Sequence, residues 1–179
     1  MMTVYLPVNE ALLTDYLKYL FPTEKGSSCL KVSGACSFGK LLIANITTSG
    51  HPVSVPEGDN VIKLHIPKQD CTQDLADKFL YFTKGSVCRL NAALKAVFDM
   101  DFHDYYQRGI DKGYQKKDII DAFIISRKLC SVDPGDALHK RTYRHEMKKH
   151  QNRARYLSRK ANYIQESLDT SGLNNNTEL

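Results

Sequence analysis

The sequence predicts an α+β protein: a small mixed α/β unit first, then an all-α region that ends in a long basic helix. Three observations lead there. Residues 1–70 mix β-branched runs, one helical repeat and frequent Pro and Gly breaks. From Thr72 onward apolar residues recur mainly at helical spacing. Near the C-terminus a heptad-like spacing coincides with nine Lys/Arg against one acid in residues 140–160. The expected organisation is a mixed unit over 1–70, a helical unit over 71–168 and a polar, disordered tail over 169–179.

Composition narrows the class. The chain has 179 residues, 42% of them hydrophobic, enough to build a core and to exclude a disordered chain. There is no run of 18 apolar residues, so no membrane span is expected. The opening Met1-Met2-Thr3-Val4-Tyr5-Leu6-Pro7 lacks a basic stretch followed by an apolar one, so no secretory leader is expected. The five cysteines, Cys29, Cys36, Cys71, Cys88 and Cys130, are odd in number, scattered and without a C-x-x-C pair. They read as reduced thiols of a cytoplasmic protein rather than as a disulfide framework or zinc site.

The elements follow in order. Asn9 is expected to cap a helix over 10–20, with Leu12, Leu13, Tyr16, Leu17 and Leu20 on its apolar face and Pro22 as its stop. Residues 29–32 read as a short strand and 61–66 as another. The apolar run 40–46 is too short to type by periodicity. Thr72 is expected to cap a helix over 73–82, Ser86 one over 87–98, and Asp101 one from Phe102 to Ile110 that Gly113 ends. Leu90, Leu94 and Val97 form the buried stripe of the middle one. A further helix is expected from Asp118 to about Cys130, then a turn with Pro134-Gly135, then a last helix capped by Asp136.

The last helix is the informative one. Tyr143, Met147, His150, Ala154, Leu157, Ala161, Ile164 and Leu168 recur at alternating four and three residues, so the helix is expected from Ala137 to near Leu168. The seam reads either as the packed face of an amphipathic helix or as a self-pairing coiled coil, hence a homodimer. Angles around the helix are counted from Tyr143, with about 100° added per residue. Arg144 then lies at about 100°, Arg155 at about 120° and Lys148 at about 140°. Arg141 and Arg159 both lie at about 160°, and Asn152 at about 180°. These six side chains occupy a sector roughly 80° wide that rises about 27 Å from Arg141 to Arg159. Lys140, His145 and Lys149 flank it as further phosphate contacts. The remainder of the chain carries no basic excess: residues 1–70 hold six basic and six acidic residues, 71–139 ten of each, and 161–179 three acids and no base. Charge confined in this way is the footprint of an anionic partner.

Arginine donates two parallel hydrogen bonds to phosphates or guanine, and Asn152 can match adenine similarly. A helix ending near Leu129, a turn and a capped basic helix make a helix–turn–helix-like order, with a turn longer than the usual three or four residues. The opening Tyr5-Leu6-Pro7-Val8, the segment Asp118-Ile119-Ile120-Asp121-Ala122-Phe123-Ile124 and the run Tyr143-Arg144-His145-Glu146-Met147-Lys148-Lys149 together give a layout. Across most of the chain it resembles small uncharacterised helix–turn–helix-like proteins of bacteriophages and mobile elements of gut anaerobes. That resemblance implies a DNA-binding role and adds no catalytic residue.

Other constellations are weaker. His145-Glu146-Met147-Lys148-Lys149-His150 spaces its histidines five apart, which leaves them about 140° apart on a helix, so they do not form the H-E-x-x-H zinc site. Gly34 to Lys40 has the G-x-x-x-x-G-K spacing of a phosphate loop, but Leu41 stands where Ser or Thr would hold magnesium. Asp99-Met100-Asp101-Phe102-His103-Asp104 reads better as a helix end and a new cap than as an acid–base site. The expected function is therefore non-enzymatic DNA binding without cofactor or metal, as a transcriptional regulator or a replication or mobilisation accessory. The partner would be duplex DNA. The alternative is a protein-interaction or phage structural component that uses the long helix for assembly.

Overall fold

The computed structural model describes residues 2–23, 28–68, 75, 78–130 and 134–173. The α+β expectation holds: short strands come first, and helices dominate from residue 84 onward. Two compact units result, Met1–Gly135 and Asp136–Leu179. None of the helices among the described residues is long and apolar enough to cross a membrane.

The first unit is built on a three-stranded sheet. Strand β1 (Thr3–Pro7) pairs antiparallel with β4 (Val61–His65), and β2 (Leu30–Lys31) pairs parallel with β4 on its other edge. The register sets Val4 and Leu30 on either side of Leu64, and all three are buried. Alternation explains the choice of face: Val4 and Leu6 point inward while Thr3, Tyr5 and Pro7 lie between core and solvent. A second ribbon pairs β3 (Thr47–Ser49) antiparallel with β5 (Phe79–Tyr81). The expected helix over 73–82 is thus overturned in its last part. Phe79, Leu80 and Tyr81 suit a pleated surface and find Ser49, Thr48 and Thr47 opposite them. Thr72 lies outside the described residues.

Helix α1 (Ala11–Leu20) buries Leu12, Leu13, Thr14, Tyr16 and Leu17, while Leu20 is only half-buried. Its cap position is Glu10, without a side-chain cap bond, rather than Asn9. The Asn9 amide donates instead to Oδ1 of buried Asn91, and the Asn91 amide group donates to the Pro7 carbonyl, each at 2.9 Å. Helix α2 (Ser37–Ala44) resolves the untyped run 40–46. Cys36 caps it, its sulfur accepting from the Gly39 amide.

Helix α3 (Lys84–Asp111) replaces the two helices expected over 87–98 and 102–110. Thr83, not Ser86, caps it. Asp101 caps nothing, because its carboxylate holds Arg127 and the Tyr16 hydroxyl. Leu90, Leu94, Phe98, Phe102 and Tyr106 make one buried row at four-residue spacing, with Val97 beside it only half-buried. Gly113, at φ 80, closes the helix: the Tyr114 amide bonds the Gly109 carbonyl and the Gly113 amide bonds that of Ile110. Helix α4 (Lys116–Ser126) then turns back onto α3, with Gln115 at its cap position, starting two residues before the expected Asp118 and stopping four residues short of Cys130. A Cβ on Gly109 would stand 2.6 Å from the Ile119 side chain, so glycine lets the two helices meet closely. Phe123 sits edge-on to Phe102 at 5.0 Å and to Phe98 at 5.9 Å, and Phe98 meets Tyr16 at 4.9 Å. This aromatic cluster joins α1, α3 and α4.

Helix α5 (Pro134–Leu173) accounts for nearly all of the second unit. It begins three residues before the expected Ala137 and continues past Leu168, into the segment expected as a tail. Proline suits a first helical position because its ring presets φ and its missing donor is not needed there. Asp136 lies in the first turn rather than at the cap and bonds Lys140 one turn on. Of the linking turn, Ser131–Asp133 fall outside the described residues.

Candidate nucleic-acid interface

Residues 137–161 contain no Gly or Pro and are rich in Lys, Arg and Ala, residues that lose little on entering a helix. One unbroken α5 therefore carries every expected contact residue. At about 1.5 Å per residue its 40 residues span about 60 Å.

Arg144, Lys148, Asn152, Arg155 and Arg159 are exposed, and Arg141 is half-exposed. Helical geometry puts these six within the sector of roughly 80° laid out above. Lys140 is exposed but engaged: its ammonium lies 2.6 Å from the Asp136 carboxylate. Hydrogen bonding from Lys140, and then its charge, holds the Asp136 carboxyl below the usual carboxylate range. His145 and Lys149 stand on the same helix, with side chains outside the described set.

The electrostatics of the row are one-sided. Glu146 is the single acid between Lys140 and Lys160. Arg144 and Lys148 are one turn apart, as are Arg155 and Arg159, and like charges at that spacing cost helix stability. An anion laid along the row removes that cost.

Two exposed residues of this face were missed from sequence. Tyr156 is 64% and Tyr163 72% exposed. On the same helical scale Tyr156 lies at about 220° and Tyr163 at about 200°, beside Asn152 and Arg159. The signal was present as their seven-residue spacing, but the heptad seam drew attention to Leu157 and Ile164 instead. Those two are also exposed, at 53% and 47%.

No protein-family model matches this sequence, and comparison with curated proteins and with solved structures returns no match either. Function is therefore read from charge and geometry.

The competing constellations have local explanations. Helix α2 starts at Ser37, so Gly39 and Lys40 of the phosphate-loop spacing are already helical. The amides of Ala35, Gly39 and Lys40 are bonded to Ser33 Oγ, Cys36 Sγ and the Cys36 carbonyl. A Cβ on Gly39 would come within 1.9 Å of the Ser33 carbonyl, so this glycine serves close backbone approach. In the 99–104 cluster, Asp101 pairs with Arg127 at 2.9 Å and Asp104 with Arg108 at 2.7 Å. Among the described residues no three His, Cys, Asp or Glu side chains gather closely enough to hold a metal ion. A groove of about 470 Å³ lies between α3 and α4, beside Tyr105, Lys112 and Tyr114, but its Arg108 is the one held by Asp104.

Proposed function

We propose that this is a DNA-binding protein of helix–turn–helix-like type whose contact surface is the basic face of α5. It would act as a transcriptional regulator or as a replication or mobilisation accessory, as the resemblance to proteins of phages and mobile elements implies. The observation that carries this reading is the one-sided row Arg141, Arg144, Lys148, Arg155 and Arg159 on a single uninterrupted helix. Arg and Lys in a row neutralise successive phosphates and release counterions, which drives association without any base contact. Asn152 lies within the row and has the donor–acceptor pair that reads adenine.

The test is duplex binding over a range of salt. Five phosphate contacts give a log–log slope of about −4.5. Arg144→Glu with Lys148→Glu lowers affinity on the order of 100-fold and flattens the slope, while helicity by circular dichroism stays unchanged. Unaltered affinity in that variant overturns the reading. The exposed seam residues Leu157 and Ile164 favour a second reading, in which α5 pairs with a second copy or another helix during assembly. Absence of binding to duplex DNA even at low salt selects it.

A further inference from the structure

We infer that Tyr156 and Tyr163 form a stacking site for unpaired bases, so that α5 engages DNA where duplex gives way to single strand. The inference rests on the DNA-binding reading of α5 and adds the form of DNA that the site prefers.

Four facts support it. Both rings are among the most exposed large apolar groups of the protein, although each can bury a substantial area. Cations lie on both sides of them. On one side of the two rings Arg155 lies at about 120° and Arg159 at about 160°. On the other side Lys160 lies at about 260° and Arg153 at about 280°. All four cations are exposed. A base laid on either ring thus has its phosphates within reach of either flank.

The tyrosines also stand apart from the apolar seam. Leu157 and Ile164 lie roughly 80–120° farther round the helix, so a partner helix seated on the seam would leave the rings uncovered. Lastly, the two features are ordered along α5. The exposed cations Arg144 and Lys148 of its first half precede both exposed tyrosines along the helix. The tyrosines come after Arg155, at the far end of the basic row.

Chemistry then selects the ligand. Every base has a π-face, and stacking on an aromatic ring contributes about 1–3 kcal/mol per base whatever the sequence. In a duplex those faces are covered by neighbouring pairs. Only an unpaired or terminal base presents one. The rings are separated by about 10.5 Å along the helix, against about 3.4 Å for one stacked step. They therefore hold two separate bases of an unstacked strand. The first half of α5 takes duplex phosphates; its second half, whose Arg155 and Arg159 also meet phosphates of a continuous duplex, takes the strand that emerges where the duplex ends.

The experiment compares the full chain on a blunt duplex and on the same duplex with a short single-stranded overhang carrying 2-aminopurine. The expected result is binding about ten-fold tighter to the overhang DNA, with a change in 2-aminopurine fluorescence that reports stacking. Tyr156→Ala with Tyr163→Ala brings the two affinities together and abolishes the fluorescence change, while helicity by circular dichroism stays unchanged. Tyr156→Phe with Tyr163→Phe keeps both, because the π-face is retained. Equal affinity of the native chain for the two DNAs, or an overhang preference that survives the alanine variant, overturns the inference. Blunt-duplex binding that persists alongside such a result leaves the parent reading standing. Loss of binding to both DNAs in the native chain overturns the parent reading as well.

Discussion

Asp101 shows how one side chain fixes several elements at once. Its carboxylate accepts two hydrogen bonds from Arg127 at 2.9 Å and one from the Tyr16 hydroxyl at 3.0 Å. The Arg127 guanidinium lies over the rings of Tyr19, Phe123 and Tyr105, at 4.8, 5.4 and 5.6 Å from their centres. Helix α1, helix α3 and the end of α4 meet there. Burial pushes the Asp101 carboxyl up, but the hydrogen bonds and charge of Arg127, with help from Tyr16, outweigh it and hold it below the ordinary value of 3.8. A carboxyl depressed in the folded state stabilises the fold above its unfolded value and loses that contribution as pH falls through its folded one. Asp101→Asn should therefore cost about 3 kcal/mol at neutral pH, since it leaves Arg127 unneutralised in a largely covered site. The gap between native and variant should close as pH drops below about 4. Urea unfolding at neutral pH and at pH 3 checks this. A constant gap at both would mean that the pair contributes nothing ionic.

At the scale of elements, the end of α4 combines a good cap with a poor residue for it. The Leu129 amide bonds the Ile124 carbonyl, the Lys128 amide bonds that of Ile125, and Leu129 is buried. This six-residue closure needs its penultimate residue in the left-handed region, and Lys128 occupies it at φ 53. Glycine has no Cβ to strain there. Lys128→Gly should stabilise the protein by about 0.5–1 kcal/mol, a rise of roughly 1–4 °C in Tm. A lower Tm by calorimetry would show that the Lys128 side chain contributes more than the backbone strain costs.

The same closure, made by Gly113 at the end of α3, was legible in the sequence because glycine marks it. Lysine marks nothing, so α4 was extended too far. The core row of α3 was legible only in Leu90 and Leu94: the row continues through Phe98, Phe102 and Tyr106, straight past Asp99–Asp101, where the sequence reading broke the helix and took Val97 instead. There Asp101, the ion-pair partner of Arg127, imitates a cap. Helix α2 gave no start signal because its cap is a cysteine. Strand β5 needed Thr47–Ser49 opposite it, a long-range partner that no local window contains. The angular positions of the cations on α5 were readable because a long helix turns sequence spacing directly into angle. The exposure of Tyr156 and Tyr163 was not, since spacing alone does not say which faces of a helix remain uncovered.

For the whole molecule, the division into two units separates stability from the proposed contact. The aromatic cluster, the sheet and the Asp101 pair all lie within Met1–Gly135. Beyond Thr142 every described side chain is exposed, from Arg144 to Glu166. Removing that stretch takes away none of the described core, whereas buried Leu138 is kept if the cut falls after Thr142. A chain ending at Thr142 should therefore unfold cooperatively with a Tm within a few degrees of the full chain. It should also lose all salt-dependent binding to DNA, because of the row only Arg141 remains and the flanking Lys140 is held by Asp136. Thermal melts of the truncated chain, paired with the salt titration, check both halves. A truncated chain that still bound with a slope of about −4.5 would place the contact in the first unit. The exposed corner between α3 and α4, where Arg108 and Lys112 face solvent, would then be the surface to mutate next. A truncated chain that failed to fold would show that α5 carries stability as well as charge. Binding by the full chain would then have to be judged from the Arg144→Glu and Lys148→Glu pair, which removes charge and keeps the helix.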